Sequence, residues 1–330
     1  MERLRYAVIG TSKITTQYIT AAKTTGQWEV CAVYSRTQQS GEAFAAQQDI
    51  PHVFCDMAAF AQSNLFEAVY IASPNVCHYE HCKWMLSHGK HVICEKPFAS
   101  YPWQLEELFA LAQQNNLVLV EAMMFMHQPA KQALAQAIAE IGKVEMVLFD
   151  NCRRSPQYDR LLGGATPNVF DPSLHTGSLM DMGVYCLHPA LALFGRPTSF
   201  AAKANLLPLG TDACGVITLQ YPDMVVELRY AKSVTSGMGS EILGEAGRIS
   251  IGSILHSTDM VHYLPDGTTR EIWGTATKTQ LMANEAADFA HYILQGQDAA
   301  VQAEYQHCKQ TSLLVCEYLE KIRREIGLGF

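Results

Sequence analysis

The first 120 residues alternate between two hydrophobic periods. Short runs rich in β-branched and aromatic residues predict strands, and the longer segments between them predict helices. The predicted strands cover residues 6–9, 29–34, 68–72, 91–94 and 117–120, and the predicted helices cover residues 14–24, 38–48, 78–88 and 103–115. Because each helix carries the chain back across the sheet in a right-handed crossover, successive strands run parallel. Residues 1–125 are therefore predicted to form an α/β domain with a doubly wound parallel sheet.

The pattern changes after about residue 126. A predicted helix at residues 132–141, a predicted strand at 144–151 and a helical stretch near residues 178–194 come first. Strand-like runs without intervening helices follow, at residues 216–220, 225–230, 240–244, 248–251 and 260–264. Two predicted helices, at residues 281–294 and 302–326, follow these runs. Strands in direct succession favour antiparallel pairing. Residues 126–330 are therefore predicted to form an α+β domain on an open, mostly antiparallel sheet.

The composition disfavours several classes of protein. Of 330 residues, 48% are apolar and 17% are charged, which is typical of a globular chain. The formal net charge is −8 and no stretch concentrates Lys or Arg, so a nucleic-acid partner is disfavoured. No apolar run of about 18 residues is present to span a membrane. The apolar segment at residues 6–9 is too short for a signal peptide, so a cytoplasmic protein is expected.

The ten cysteines are scattered and lie mostly in apolar stretches, which predicts buried thiols in a reducing compartment rather than disulfides. One cluster holds two Cys and two His within six residues, namely Cys77, His78, His81 and Cys82. Structural zinc sites usually draw a second ligand pair from a separate segment, and no matching pair stands out in the sequence. The cluster is therefore interpreted as a helix start after a strand, and no metal site is predicted.

The first predicted strand ends in a degraded dinucleotide-binding turn. Positions 10–15 read Gly-Thr-Ser-Lys-Ile-Thr, with the spacing of G-x-G-x-x-G but only its first glycine. Gly10 can make the tight turn, and Ser12 lies where backbone approaches a pyrophosphate. Lys13 and Ile14 open the next helix, whose N-terminus is expected to hold that pyrophosphate. The motif alone is equally compatible with a strand–turn–helix without a ligand, and its context favours a cofactor.

The end of the second predicted strand bears on the choice between NAD and NADP. NAD-specific sites place Asp or Glu there, on the ribose 2′-hydroxyl. This sequence has Ser35, Arg36 and Thr37 instead, with no carboxylate to repel a 2′-phosphate. Arg36 could pair with that phosphate or stack on adenine, and its neighbours could donate hydrogen bonds. A solvated arginine is the alternative, and the pattern favours NADP as cofactor, with NAD as the second choice.

A later predicted strand ends in Glu95-Lys96-Pro97, at the carboxyl edge of the sheet where such folds bind ligands. Composition alone leaves a salt-bridged loop as an equal alternative. Upstream, residues 72–75 read Ala-Ser-Pro-Asn, followed by His78, and downstream, residues 177–185 read Gly-Ser-Leu-Met-Asp-Met-Gly-Val-Tyr. Taken in this order, the three segments and a late segment at residues 284–289 resemble the glucose–fructose oxidoreductase / inositol dehydrogenase family, Gfo/Idh/MocA.

The resemblance covers most of the chain and looks closest to the branch of dihydrodiol dehydrogenases and NADP-linked xylose dehydrogenases. It implies a Rossmann fold for the first domain. It also implies an NAD(P)-dependent dehydrogenase acting on CH–OH groups of a sugar, polyol or cyclic diol. Like the family, the chain is expected to form a homodimer or homotetramer through its C-terminal sheet, with a hinge at residues 123–127.

The resemblance also implies roles for individual residues. Lys96 would be the acid/base beside the nicotinamide, and Asp181 and Tyr185 would face it from the second domain. The residues expected to line the cofactor's ribose and nicotinamide are Ser73, Pro74, Asn75, His78 and, with Lys96, Glu95. A lysine desolvated in a cleft can have its pKa lowered toward neutrality, which suits removal of a hydroxyl proton.

Spacing supports this assignment in the second domain. Asp181 and Tyr185 are four residues apart and His188 is seven from Asp181, so an α-helix places all three on one face. Packing on a buried helix is the alternative for Tyr185 and His188. The sequence departs from the family at His175-Thr176-Gly177, where a glycine-rich run is common, and residues 168–171 lack the Arg of many members. His175 is therefore interpreted as a substrate contact.

Two other functions stay open at this point. An enzyme with tightly bound NAD(P) could catalyse redox-neutral sugar chemistry, such as glycoside cleavage or sugar–sugar hydride exchange. A sugar- or nucleotide-sensing regulator could use the same scaffold. The presence of Lys96, Asp181 and Tyr185 argues against the regulator, because a sensor needs no proton-transfer residues.

Overall fold

The computed structural model describes residues 3–330. The chain forms two compact units. Unit 1 contains the chain up to Met123 together with Thr277–Leu313, and unit 2 contains Met124–Ala276 together with Leu314–Phe330. The boundary between residues 125 and 126 stays a prediction, and the structure adds that unit 1 takes a second segment from late in the chain.

Unit 1 is built on a six-stranded parallel sheet with the strand order β3-β2-β1-β4-β5-β6. Its strands are β1 (Leu4–Ile9), β2 (Trp28–Tyr34), β3 (His52–Phe54), β4 (Ala68–Ile71), β5 (His91–Glu95) and β6 (Leu119–Ala122). The helices that alternate with them are α1 (Lys13–Thr24), α2 (Gln38–Gln48), α3 (Met57–Gln62), α4 (Asn75–Ser87) and α5 (Pro102–Gln114). The strand order reverses between β1 and β4, and ligands of such folds bind at the carboxyl ends of the strands there. The predicted doubly wound sheet is confirmed.

Unit 2 is built on an eight-stranded sheet with the order β14-β13-β12-β11-β7-β10-β9-β8. Its strands are β7 (Val144–Cys152), β8 (Ser199–Leu206), β9 (Asp212–Gln220), β10 (Val225–Ala231), β11 (Ser240–Gly244), β12 (Gly247–Ser253), β13 (Thr258–Tyr263) and β14 (Thr269–Trp273). Its helices include α6 (Pro129–Glu140), α7 (Pro156–Leu162) and α8 (Val184–Phe194). Only the β7–β10 pair is parallel among these described strands, which confirms the mostly antiparallel sheet.

Helix α9 (Lys278–Gln295) belongs to unit 1, as does the first part of α10 (Ala299–Ile326). The indole N–H of Trp28 on β2 donates a 2.8 Å hydrogen bond to the Ala286 carbonyl of α9. The same indole stacks on Phe289, with ring centroids 5.3 Å apart. Local periodicity predicts α9 but cannot show where it packs, because the Trp28–Ala286 hydrogen bond joins residues 258 positions apart.

Three strands, β3, β8 and β14, were not predicted from the sequence. Strand β3 has only three residues. Strands β8 and β14 lie at the two edges of the unit 2 sheet and are largely exposed, so they lack the apolar pattern that marks a buried strand. The predicted association of subunits through this sheet stays a prediction.

Candidate functional site

The turn after β1 requires glycine at its first position. Gly10 has a φ of +106°, and a Cβ atom at this position would lie 2.6 Å from the carbonyl oxygen of Ala72. The turn that follows β1 therefore passes directly against the one that follows β4. In this class of fold the first glycine of the motif makes the tight turn between strand and helix. Gly10 thus occupies the position that the sequence motif assigns to it.

The start of α1 is suited to an anion. Ser12 is the N-cap residue, but its hydroxyl makes no capping hydrogen bond and lies 3.4 Å from the Thr15 hydroxyl. The first turn contains no acidic residue and begins with the exposed Lys13, followed by the half-buried Ile14. Backbone N–H groups at a helix N-terminus carry partial positive charge. The fully buried Thr15 takes the third glycine position, where the helix meets the sheet.

The three residues after β2 divide into two kinds. Ser35 is buried, and its hydroxyl lies 2.6 Å from that of Ser40. Thr37 caps α2 by accepting the Ser40 N–H at 3.3 Å. Arg36 is exposed, and no salt bridge involving it is found within residues 3–330. Of the three predicted cofactor residues, Arg36 is the one whose side chain is available to a 2′-phosphate.

His78 joins the two loops that follow β4 and β5. Its ring is fully buried, with Nε2 2.8 Å from the Ser73 carbonyl oxygen and Nδ1 3.0 Å from the Pro97 carbonyl oxygen. Burial lowers the pKa of the imidazole despite these two acceptors. The ring therefore holds the loop of Ser73 and Pro74 and the start of α4 at Asn75 next to the loop of Lys96. The direct contact between His78 and the cofactor stays a prediction.

The loop that carries Lys96 is fixed from a second side. The Lys96–Pro97 peptide bond is cis. The Phe98 N–H donates to Oε1 of the buried Glu121 at 3.2 Å, and the Ser312 hydroxyl donates to its Oε2 at 2.7 Å. Glu121, on β6, was not identified from the sequence, although a carboxylate inside an otherwise apolar strand is a detectable signal. The backbone that directly follows Lys96 is thus held by His78, at Pro97, and by Glu121, at Phe98.

Glu95 lies beneath this edge and not in open solvent. The Tyr70 hydroxyl donates a 2.6 Å hydrogen bond to its carboxylate, and the Tyr70 ring stacks on Tyr18 of α1 with centroids 3.8 Å apart. Burial raises the pKa of Glu95, and it raises the pKa of the fully buried Glu285 on α9 well above its usual range. Nearby Lys278 donates to Gln17 at 2.9 Å. Contact of Glu95 with the nicotinamide ribose stays a prediction.

In unit 2, Asp181 lies on a π-helical segment, Leu179–Gly183, that continues directly into α8. The Ser178 hydroxyl donates to the Ala213 carbonyl at 2.6 Å, and the Leu179 N–H donates to the Asp212 carboxylate at 2.8 Å. Burial raises the pKa of Asp212 to about 6. Such single wide turns inside helices are frequent at functional sites. The buried β9 carboxylate therefore sets where this helix begins.

The π-helical segment changes the predicted helix face. Asp181 and Tyr185 are partly exposed, whereas the three residues between them are buried. His188 is fully buried, with 0% of its surface exposed to solvent. The argument that one regular α-helix presents all three side chains alike is therefore wrong, because the wider turn alters the angular spacing before Val184. The substrate contact of His188 stays a prediction.

The ammonium group of Lys232 forms an ion pair with Asp181 Oδ2. The Lys232 side chain is 8% exposed, and that of Asp181 is 36% exposed. Lys232 directly follows β10, so its sequence signal is similar to that of Lys96, a charge at the end of a strand. Lys232 was not predicted as a site residue.

His175 has a left-handed backbone conformation, with φ of +54°. Its ring stacks on Phe330, with centroids 5.1 Å apart and planes 5° from parallel. Burial, and secondarily Arg323, lowers the pKa of the imidazole. Its predicted contact with substrate stays a prediction.

The Cys/His cluster of residues 77–82 has other partners. His81 Nδ1 lies 2.9 Å from the Ser73 hydroxyl, and Cys82 is buried in the core. Within residues 3–330, no group of three or more His, Cys, Asp or Glu side chains is arranged to hold a metal ion. None of the cysteines in this part of the chain forms a disulfide.

The parallel sheet, the Gly10 turn and the start of α1 define the class of a dinucleotide-binding protein. Comparison with known proteins agrees: residues 4–123 match the oxidoreductase family with an NAD-binding Rossmann fold, and residues 127–250 match the GFO/IDH/MocA C-terminal domain. The chain belongs to the Gfo/Idh/MocA family.

Two relatives extend over nearly the whole chain. It is 38% identical to an uncharacterized oxidoreductase, YgjR, of Escherichia coli, over 99% of this chain and 98% of the relative. It is 35% identical to the scyllo-inositol 2-dehydrogenase (NADP(+)) IolU of Bacillus subtilis, with the same coverage of 99% and 98%. Among solved structures, the 3-ketoreductase KijD10 of Actinomadura kijaniata, in complex with NADP and TDP-benzene, has a TM-score of 0.84 at 22% identity, covering 98% of each chain. This last likeness concerns the fold.

No helix in residues 3–330 has both the length and the apolar character to cross a membrane.

Proposed function

We propose that the protein is an NADP-preferring dehydrogenase that acts on a CH–OH group of a sugar, polyol or cyclic diol. The observation that carries the cofactor preference is the exposed Arg36 at the end of β2, where an NAD-specific site has a carboxylate. The turn at Gly10 and the start of α1 fit a pyrophosphate, since the helix has neither a side-chain cap nor an acidic residue in its first turn. The name of IolU, a polyol dehydrogenase using NADP(+), supports the same assignment.

The chain's own residues supply binding and proton transfer. Oxidised NADP supplies the acceptor for the hydride that leaves the alcohol carbon. Lys96, acting as the base, takes the proton from the hydroxyl on that carbon, which leaves a carbonyl, and then returns the proton to water. Asp181 accepts a hydrogen bond from a substrate hydroxyl, and Tyr185 donates one to the substrate oxygen. In the reverse direction, the Lys96 ammonium would protonate the carbonyl oxygen as the hydride returns to its carbon, which forms the alcohol.

Binding is tested by titrating the protein separately with NADPH and NADH, following nicotinamide fluorescence. The wild type is expected to bind NADPH at least about tenfold more tightly, since a paired phosphate contributes about 1.5–3 kcal/mol. Arg36→Ala is expected to lose this preference. Arg5→Ala is the matched control. Arg5 is an exposed arginine at the amino end of β1, the end away from Gly10, and it pairs with Glu67. Equal binding of both nucleotides by the wild type contradicts the NADP preference, and binding of neither contradicts the dehydrogenase assignment.

Turnover is tested with scyllo-inositol, aldoses and dihydrodiols plus NADP. Lys96→Ala is expected still to bind NADPH and to lose about 10²–10⁴-fold in kcat, the usual contribution of general acid–base catalysis. Lys23→Ala, an exposed lysine on α1, is the control. Wild-type kcat in Lys96→Ala contradicts the role of this lysine. Cofactor that survives gel filtration without turnover of free NADP would instead indicate redox-neutral chemistry.

A further inference from the structure

A buried cation lies behind one of the proposed substrate-contacting residues. Lys232 immediately follows β10, and its backbone is fixed on both sides: its N–H donates to the Ala213 carbonyl at 3.0 Å, and its carbonyl accepts the Ser155 N–H at 2.9 Å. The residue as a whole is 6% exposed. Its ammonium is directed to Asp181 Oδ2.

Burial of a lysine ammonium is unfavourable unless a counter-charge is present. Asp181 is that counter-charge for Lys232. The accessibilities of the two side chains differ, since the lysine is 8% exposed and the aspartate 36% exposed. A ligand arriving from solvent therefore meets the carboxylate, while the ammonium stays beneath it. The lysine is placed to act on a ligand through Asp181 and not by touching the ligand.

The starting point of the helix is fixed as well. The Asp212 carboxylate holds the Leu179 N–H, and the Ser178 hydroxyl holds the Ala213 carbonyl. The Lys232 N–H bonds to that same carbonyl, so the lysine backbone and the start of the Asp181 segment share one anchor on β9. A carboxylate whose backbone and charge are both fixed keeps one orientation, which is how a supporting residue contributes to a site.

We infer that Lys232 is a positioning residue for the dehydrogenase reaction, which fixes the Asp181 carboxylate in the orientation in which it receives the substrate hydroxyl. This inference rests on the proposed function. It assigns to Lys232 an effect on turnover and on substrate KM, and none on the affinity for NADPH.

The test is a double-mutant cycle of Lys232→Met and Asp181→Asn, with kcat and KM measured under NADP saturation. Lys232→Met is expected to lower kcat/KM about 10- to 100-fold, the usual effect of a small misplacement of a catalytic group. Lys232→Arg is expected to recover much of the loss, because it keeps the charge. In the double variant the loss is expected to be no greater than in Asp181→Asn alone, since the two residues act as one unit. Lys321→Met is the control, because Lys321 also pairs with a carboxylate, Glu317 at 2.7 Å, but is 46% exposed.

The outcomes separate the two proposals. A wild type that turns over no CH–OH substrate contradicts the proposed function. A wild type that does, together with undiminished kcat/KM in Lys232→Met or multiplicative losses in the double variant, overturns only the positioning role. A Lys232→Met protein with unchanged melting temperature shows that the kinetic loss is not unfolding. If this variant does not fold, Lys232→Gln, which keeps a hydrogen-bond donor without the charge, takes its place in the same cycle.

Discussion

The carboxylate of Asp212 on β9 accepts a 2.8 Å hydrogen bond from the backbone N–H of Leu179, the first residue of the π-helical segment that carries Asp181. Asp212 is fully buried, and burial raises the pKa of its carboxyl from 3.8 to about 6. The stability of unit 2 therefore depends on the titration of Asp212, the same carboxyl that accepts the Leu179 N–H.

The sign of this linkage is opposite to that of a salt-bridged aspartate. Between pH 4 and 6 the folded state keeps a proton on Asp212 that the unfolded state has released, so this residue's contribution to stability falls as pH rises. Asp212→Asn removes the titration and still accepts the Leu179 N–H. We expect the stability of the variant, relative to the wild type, to increase by at most about 3 kcal/mol from pH 4 to pH 7. Thermal unfolding measured across this range checks it.

The matched control for this prediction is Asp223→Asn, the same substitution in an exposed turn. Its stability difference from the wild type is expected to change little over the same range. A constant difference between Asp212→Asn and the wild type at every pH would show that the Asp212 carboxyl titrates alike in the folded and unfolded states.

Gly10→Ala is expected to lower the affinity for NADPH at least about tenfold. The new Cβ would lie 2.6 Å from the Ala72 carbonyl oxygen, so the two turns that border the cofactor edge must separate. Gly26→Ala is the control, since Gly26 also has a positive φ, +69°, but a Cβ there meets nothing within 4 Å. Both variants carry the backbone strain of about 1–2 kcal/mol. Only Gly10→Ala should lose binding in a fluorescence titration, and tight binding by a folded Gly10→Ala protein would refute the assignment of this turn.

His78→Phe is expected to weaken both stability and NADPH binding. The ring is similar in shape, but it cannot donate to the carbonyl of Ser73 or Pro97. Because burial lowers the pKa of His78, the neutral ring donates one of these hydrogen bonds at pH 7. Leaving its buried acceptor unsatisfied costs about 1–3 kcal/mol. Melting temperature and NADPH titration give the two readouts.

His88→Phe provides the comparison, because His88 bonds to the Trp84 carbonyl at 2.8 Å at the exposed end of the same helix, α4. It should leave cofactor binding unchanged. An unaltered melting temperature and NADPH affinity in His78→Phe would mean that the two loops are held together without this ring.

Much of the site on unit 1 could be predicted from sequence because its signals are local. Gly10, Ser12 and Arg36 follow strand ends that hydrophobic periodicity identifies, and in a parallel sheet those ends lie at one edge. The roles predicted for Lys96 and Asp181 depended on the family resemblance, because residue spacing alone did not provide them. The spacing argument assumed one regular α-helix, whereas Asp181 lies in a π-helical segment, which leaves no mark in a hydrophobic pattern.

By itself the sequence determined most of the order of strands and helices, apart from β3, β8 and β14, together with the two types of sheet and the position of the turn at Gly10, because each depends on neighbours within one or two turns of chain. Tertiary structure decided which polar and charged groups lie next to one another. Lys232 pairs with Asp181, Asp212 caps Leu179, and Ser312 supports Glu121 across 191 positions. These partners come together only through strand pairing and helix packing, which no local pattern encodes, and burial then makes each contact strong enough to position a functional residue.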